Sequence, residues 1–358
     1  MSKTPKTEST RRSFLGGASA IAASASLAPL IVNRRAAAQA RTLYINTWGG
    51  SWTAAEDAAF FKPFTEATGI RIRAIEPVSF AKIKAQVTSG NYEFDVTEIN
   101  QSQWLRAQRD GLTAPIDWSV VNKEQLPPHA EYADGIAYCL LSTNLCYRTD
   151  KFPNGGPRNW ADFWDVQKFP GARALGSGDP QRNLVFALLA DGVPRDKIYP
   201  LDIDRAFRKL DQIKPHIKVW WTQGNQQQQL IRDGEVDLMS IWNARASELK
   251  QQGTPVELVW DGALDSVVMW GVVKGAPNAN AGWRFIQSAI QPQPQAAFSK
   301  RLFYGPSNPK AFEFIPPDVA ANLPGSTEHA SLSVKTDPVW EADNVAKIEE
   351  RFTQWLAS

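Results

Sequence analysis

The chain has 358 residues, 43% of them hydrophobic and 21% charged, with 39 Lys and Arg against 37 Asp and Glu, 14 Trp and two Cys. The first forty residues hold six of the basic and one of the acidic residues, so from Arg41 onward the net charge is −3 rather than +2. That balance argues against a nucleic-acid or anionic-membrane partner, which needs a basic face to neutralise phosphates. The 318 residues that remain suffice for two lobes, each with its own core.

The chain opens with "STRRSFLGG" (Ser9 to Gly17), where Arg11 and Arg12 precede Phe14, Leu15 and a weakly apolar Gly/Ala/Ser/Leu stretch ending at Val32. This resembles a twin-arginine export signal. The stretch approaches the length of a membrane span. Its small residues and the Ala38-Gln39-Ala40 cleavage site favour a cleaved signal over residues 1–40 instead.

Beyond it, short apolar strands alternate with amphipathic helices. Leu43 to Asn46 reads as a strand, Gly49-Gly50-Ser51 as a turn flanked by Trp48 and Trp52, and Thr53 to Ala67 as a helix on Ala58, Phe61 and Phe64. A strand from Arg71 to Ala74, a helix ending at Ser89 and a strand from Phe94 to Ile99 follow. Polar Asn100 to Gln103 then lead into a helix holding Trp104. Such alternation predicts an α/β domain with a mainly parallel sheet, which binds ligands at strand carboxyl ends, where helix amino-termini also point.

"GIAYCLLSTNLCYR" is a long extended run with few charges and reads as a connection crossing between lobes. Its Cys139 and Cys146 are either a disulfide or two buried small apolar residues. Their spacing suits no common zinc motif and His129, His216 and His329 are far apart, so no metal site is expected. A second α/β unit follows: Asn159 caps a helix, Ala172 to Leu175 is a strand, and Gly176 to Asp179 is a polar turn before a helix. Val236 to Trp242 repeats the strand, turn, helix grammar. The run Gln226 to Gln229 reads as a solvated helix face, against a site role for Gln223 or Asn225. Ser266 to Ala276 is a strand, and the final helix, Val345 to Leu356, is expected to pack on the second lobe.

The stretches "LYINTW", "FTEATGI", "YEFDV", "NWADFW", "DGEVDLMSIWNA", "QQGTPVELVW" and "FYGPSNP" occur, in order, along nearly the whole exported chain. Together they resemble the solute-binding proteins of ABC importers, most closely the spermidine/putrescine-binding type. The resemblance implies a two-lobe periplasmic-binding-protein fold, type II-like, closing over a ligand between the lobes. Residues 41–146 and 268–313 are expected in lobe 1, and 147–267 and 314–358 in lobe 2. The family's site maps onto Trp48, Asn100, Ser102, Trp242, Tyr304 and Glu341. Aromatic walls suit a polyamine, supplying apolar contact and cation–π attraction.

The acids that hold amines in that family fall at Gln181, Leu184 and Trp270, none acidic. Asp179 and Asp265 substitute only if the turns shift. Arg245, just after "IWN", either attracts a carboxylate and repels an ammonium at the cleft or pairs with an Asp or Glu on the second lobe's surface. The family thus implies a polyamine-type amine, with an anionic or zwitterionic solute (carboxylate, amino acid or opine) bound through Arg245 as the alternative.

Among the tryptophans, Trp104, Trp118, Trp160, Trp164, Trp260, Trp283 and Trp355 are expected in the core. Trp48, Trp52, Trp242 and Trp270, near strand carboxyl ends, are expected at the cleft, with the ligand sandwiched between Trp48 and Trp242. Trp340 suits either place. An exported enzyme is the rival class, but the chain has no G-x-S-x-G elbow, H-E-x-x-H motif or P-loop. The reading is a monomeric periplasmic binding protein without cofactor, serving an inner-membrane permease.

Overall fold

The computed structural model describes residues 42–358. The twin-arginine expectation concerns residues outside the described ones. Among the described residues no helix is long and apolar enough to cross a membrane.

The first α/β unit runs β1 (Thr42–Asn46), α1 (Ser51–Glu56), a π-helical turn (Asp57–Phe61), α2 (Lys62–Thr68), β2 (Arg71–Ile75), α3 (Phe80–Ser89), β3 (Val96–Asn100) and α4 (Gln101–Arg109). Short β4 (Glu131–Tyr132) leads into the 14-residue β5 (Gly135–Arg148). The second unit runs α5 (Trp160–Trp164), β6 (Arg173–Gly176), α6 (Pro180–Ala190), α7 (Ile203–Ile213), β7 (Ile217–Trp221), α8 (Gly224–Arg232), β8 (Leu238–Trp242) and α9 (Asn243–Gln251). The 17-residue β9 (Val256–Val272) leads back. Then come α10 (Ala279–Ala289), α11 (Pro292–Leu302), β10 (Gly305–Pro306), α12 (Pro317–Ala320), α13 (Thr327–Ala330), β11 (Val334–Lys335) and α14 (Pro338–Ala357).

One sheet runs through the molecule in the order β2-β1-β3-β9-β5-β8-β6-β7. Each end is a parallel trio, β2-β1-β3 and β8-β6-β7, and each meets the antiparallel β9–β5 pair in the middle. That pair is in register from Ile136 opposite Trp270 to Arg148 opposite Val256, with shifts at Ala137/Cys139 and Thr143/Leu145. Such irregularities bend a strand and sharpen its twist. The run read as a crossing connection is β5. The return strand is longer than the expected Ser266 to Ala276 because Gly262, at φ 75°, carries it past a side chain: a Cβ there would lie 2.9 Å from Cδ1 of Trp160.

The first core gathers Leu43, Phe64, Trp104, Trp270, Phe285 and Phe298. Two clusters, one around Trp160, Phe186, Leu210 and Ile348 and the other around Trp221, Ile241 and Leu249, form the core of the second lobe. Ile315 and Leu323 belong to the first core. Trp118 is an exception among the tryptophans expected inside: it is exposed, with Nζ of Lys123 over its ring at 5.0 Å. Helix α14, started by Pro338 and capped by Asp337, packs on α4 of the first lobe and α6 of the second.

Cys139 and Cys146 are both free and buried. They lie seven residues apart on one continuous strand, roughly 23 Å at about 3.3 Å per residue, whereas a disulfide needs Cα atoms within about 7 Å. Burial pushes both thiols up. Thiol labelling should therefore find two reactive cysteines in denatured protein and none in the native state, and a denatured, unreduced sample with no free thiol would contradict this pairing-free strand.

Candidate functional site

The first wall of the cleft begins where β1 ends. Gly49 and Gly50 adopt φ of 98° and 61° and let the chain turn sharply from strand to helix. Trp48 remains 43% exposed while its backbone N–H donates to Oε1 of Glu98 at 3.1 Å. Trp52 is only 8% exposed: its Nε1–H donates to Oε2 of Glu98 at 3.2 Å, and its ring packs on Phe298 and Tyr304 at 5.4 and 5.0 Å. The two indoles therefore do different work, one facing out and the other anchoring the turn.

Trp270, expected at the cleft, is instead 0% exposed and stacked on Tyr138 at 3.7 Å. Register explains the correction. Trp270 lies opposite Glu98 on one side and Ile136 on the other, on a strand paired along both edges, so its side chain enters the first core.

At the end of β3, Asn100 caps α4, accepting from the backbone N–H of Gln103 at 2.9 Å and from the Ser102 hydroxyl at 2.9 Å. Across from it, α6 starts at Asp179, with Gln181 and Arg182 in its first turn. Nε of Arg182 bonds Asp179 at 3.2 Å and Nη1 bonds Oγ1 of Thr143 on β5 at 2.6 Å, and neither bond uses Nη2. Glu341, near the start of α14, is buried and accepts from the Tyr199 hydroxyl at 2.7 Å. Burial raises its pKa above the ordinary carboxylate range, against the pull of the Tyr199 bond and of Arg182. Asp265, the other candidate acid, is taken up by Ser333 and Lys335.

The end of β8 supplies Trp242, which meets Trp221 edge-on at 5.9 Å, and α9 supplies Arg245. Nη1 of Arg245 lies 3.5 Å from Glu248 and 3.4 Å from Oγ of Ser51, so it spans the cleft to the first lobe. The glutamine run is solvated only in part: Gln229 is exposed and Gln226 and Gln228 are half-buried. Gln227 is fully buried and accepts the backbone N–H of Trp242 at 3.1 Å, while Nε2 of Gln228 bonds Glu248 at 2.7 Å; Gln223 and Asn225 are exposed. Gly224 leaves the space these side chains use, since a Cβ there would sit 3.0 Å from both Nε of Arg245 and the Trp242 ring.

The lobes approach closely. One chamber of about 10 Å³ is lined by Asn100, Ser102, Gln181, Arg182, Ser266 and Glu341, and a second of about 10 Å³ by Ser51, Trp52, Arg245, Glu248 and Tyr304. Among the described residues, several buried polar atoms here lack a protein partner: Oε1 of Gln181, Nε1 of Trp242 and Nε of Arg245. Trp48 lines neither chamber. A larger groove of about 700 Å³ lies on the second lobe between Trp160 and the Arg195–Asp261 pair, away from the strand carboxyl ends. Among the described residues no three His, Cys, Asp or Glu could together hold a metal ion. Sequence reasoning missed Arg182, Gln227 and Glu98. A cation in the first turn of a helix after a polar strand end was the available signal for Arg182; Glu98 in a strand interior gave none.

The model of the family described as bacterial extracellular solute-binding protein matches residues 59–324. A gamma-aminobutyric acid-binding protein of Pseudomonas aeruginosa is 35% identical over 329 residues, covering 90% of this chain and 93% of its own. The spermidine/putrescine-binding periplasmic protein of Escherichia coli is 23% identical over 287 residues, 75% of this chain and 80% of its own. Among solved structures, an ABC transporter substrate-binding protein from Bradyrhizobium japonicum is 37% identical with a TM-score of 0.84, covering 88% of this chain and 99% of that one. A GABA receptor is 34% identical with a TM-score of 0.82, covering 88% and 97%.

If Gln227 holds the β8 end in place, Gln227→Leu should cost about 1–3 kcal/mol in urea unfolding, the range for leaving a buried donor unpaired. A change within about 0.5 kcal/mol, as for a surface position, would return the run to a solvated role.

Proposed function

Because the chain belongs to the bacterial extracellular solute-binding proteins, we propose that it captures a small zwitterion, with an ω-amino acid of the γ-aminobutyric type as the leading candidate, for an ABC importer. The observation that carries this reading is the pair of guanidinium groups at the cleft, Arg182 and Arg245. Guanidinium binds carboxylate through a planar fork of donors. Arg182 is held by Asp179 and Thr143 with Nη2 uncommitted, which suits a solute carboxylate.

A polyamine fits less well. Of the positions that carry acids in polyamine binders, Gln181 lines the cleft as a neutral amide, Leu184 is buried in the second core and Trp270 in the first. The relative that binds gamma-aminobutyric acid is also much more similar than the polyamine binder, at 35% against 23% identity. The ammonium end has the buried Glu341, the Trp48 face and the Trp242 face available, with cation–π attraction of ~0.5–2 kcal/mol each. The unpaired Gln181 Oε1 and Trp242 Nε1 then find partners in the solute. Bending at the β5–β9 crossing opens and closes the lobes. In this reading the protein is exported by the twin-arginine signal of residues 1–40, works as a periplasmic monomer and hands its solute to an inner-membrane permease.

Isothermal titration and thermal shift against 4-aminobutyrate, longer ω-amino acids, opines, putrescine and spermidine test the reading. An ω-amino acid at about 100 times its Kd should add ~2.7 kcal/mol of stability while the polyamines add none. Arg182→Ala should weaken its binding by ~2 kcal/mol or more, roughly 30-fold, and Arg245→Ala should weaken it in the same direction. Stabilisation by putrescine that survives Arg182→Ala would restore the polyamine, and steady turnover of any of these compounds would make the protein an enzyme.

A further inference from the structure

Beneath the Trp48 turn lies a cluster that the binding site leaves unexplained. Glu56 on α1, Glu98 on β3 and Tyr138 on β5 are all fully buried or nearly so. The Tyr138 hydroxyl is 3.0 Å from Oε1 of Glu56 and also within hydrogen-bonding distance of Oε2 of Glu98. A phenol has one proton and can donate to only one of the two carboxyls. The other contact requires a proton on the carboxyl itself.

The donors assign it. Glu98 receives the Trp48 N–H, the Trp52 Nε1–H and the Tyr138 O–H, three donors that suit a carboxylate. Glu56 receives only the Thr47 hydroxyl, at 2.5 Å, and its Oε1–H then donates to Tyr138. Two carboxyls this close, out of water, do not both ionise readily. Burial pushes both upward, Glu56 to about 7, so the pair together keeps a proton that two separate carboxyls in water would lose.

The other groups around the cluster do not neutralise it. They are Thr53 on α1, Cys139 on β5, the stacked Trp270 on β9, Phe298 on α11 and Tyr304, which reaches toward Arg245 at the cleft. Among the described residues no Lys, Arg or His bonds Glu56, Glu98 or Tyr138.

We propose that Glu56, Tyr138 and Glu98 form a positioning unit for the solute-facing turn, a buried carboxyl pair that shares one proton and holds Trp48 and Trp52 in their binding arrangement while that proton is kept. The unit rests on the reading of Trp48 as a wall of the solute cleft. Loss of the shared proton puts two charges one tyrosine apart, and the turn that hangs on Glu98 loosens. The sign follows from the folded chain holding this proton more tightly than an unfolded one. The stabilisation is complete below the ordinary carboxyl range and is lost as pH rises, starting near 7 at Glu56 and continuing above it as the raised Glu98 also ionises.

Two measurements between pH 6 and 9 test the unit, one with solute and one without. Over that range 4-aminobutyrate keeps both its charges, so its own titration does not interfere. Its affinity should fall at least tenfold from pH 6 to pH 9 in the wild type and stay flat in Glu56→Gln, whose amide donates to Tyr138 at every pH. In the solute-free protein, tryptophan emission should titrate over the same range. That titration should vanish in Glu56→Gln and in the Trp48→Phe, Trp52→Phe double variant. Glu98→Gln, which keeps the shape and loses the charge, should bind at least tenfold more weakly at pH 6. Flat affinity and flat emission in the wild type would overturn the unit and leave the solute reading standing. Emission that titrates as described without any binding of 4-aminobutyrate would overturn the solute and leave the unit standing.

Discussion

Everything at the cleft depends on the antiparallel pairing of β5 with β9. These two strands belong to both lobes at once: β9 pairs with β3 of the first, β5 with β8 of the second, and they pair with each other between. Each parallel trio therefore hangs from a shared spine, and the helices α4, α6 and α9 that follow parallel strands start at the cleft. Residues from both lobes line the two chambers because the spine brings strand ends together, even though their sequence positions run from Ser51 to Glu341. The two register shifts of the β5–β9 pair place irregular backbone in the spine, while the first trio is regular and the second has one shift, at Arg173/Ala174 between β6 and β7. A lobe can then turn as a packed body, with little rearrangement inside either core.

The charges of the two lobes are arranged differently. In the second lobe each cleft cation has an acid beside it, Arg182 with Asp179 and Arg245 with Glu248. Such partly exposed pairs contribute little to stability, but they hold the guanidinium groups in one orientation before a solute arrives. Preorganisation of this kind raises affinity by lowering the ordering cost at binding. In the first lobe the acids Glu56 and Glu98 have no cation and are held by hydroxyl, amide and indole donors. The second lobe thus presents oriented guanidinium–carboxylate pairs at the cleft, and the first keeps two buried carboxyls one layer behind it.

Much of the frame was legible in the sequence, for local reasons. The crossing run Gly135 to Arg148 stood out by its length and lack of charge, and Asn100 and Asn159 by their position before helical periodicity; both cap their helices. What stayed hidden is set by pairing across the sheet. Trp270 followed the same rule of thumb as Trp242, a tryptophan near a strand end, yet β9 continues beyond the spine and buries it. Gln227 is one of four identical neighbours, and only the approach of β8 singles it out as the acceptor of the Trp242 amide. Glu98 sits in a strand interior where an acid has no local rationale. Its partners are 40 to 50 positions away in sequence.

The fate of Trp270 links these observations to the choice of solute. The resemblance to polyamine binders implies an acid for an amine at this position of the strand returning to the first lobe. Here that position carries an indole that stacks on Tyr138, and Tyr138 in turn bridges the two buried glutamates. With an aromatic ring in the place of an acid, the strand contributes no charge to the cleft, and a second ammonium has nothing to bind there. Glu98 lies behind the Trp48 turn, bonded to its backbone, and the charged groups that line the cleft are the guanidinium groups of Arg182 and Arg245 with the carboxyls of Glu248 and Glu341. A solute with cations at both ends would have to place one of them against Arg182 or Arg245. One with a carboxylate at that end and a single ammonium at the other would meet complementary groups at both, so the neutral residues at Gln181, Leu184 and Trp270 and the two arginines favour the same proposed kind of solute.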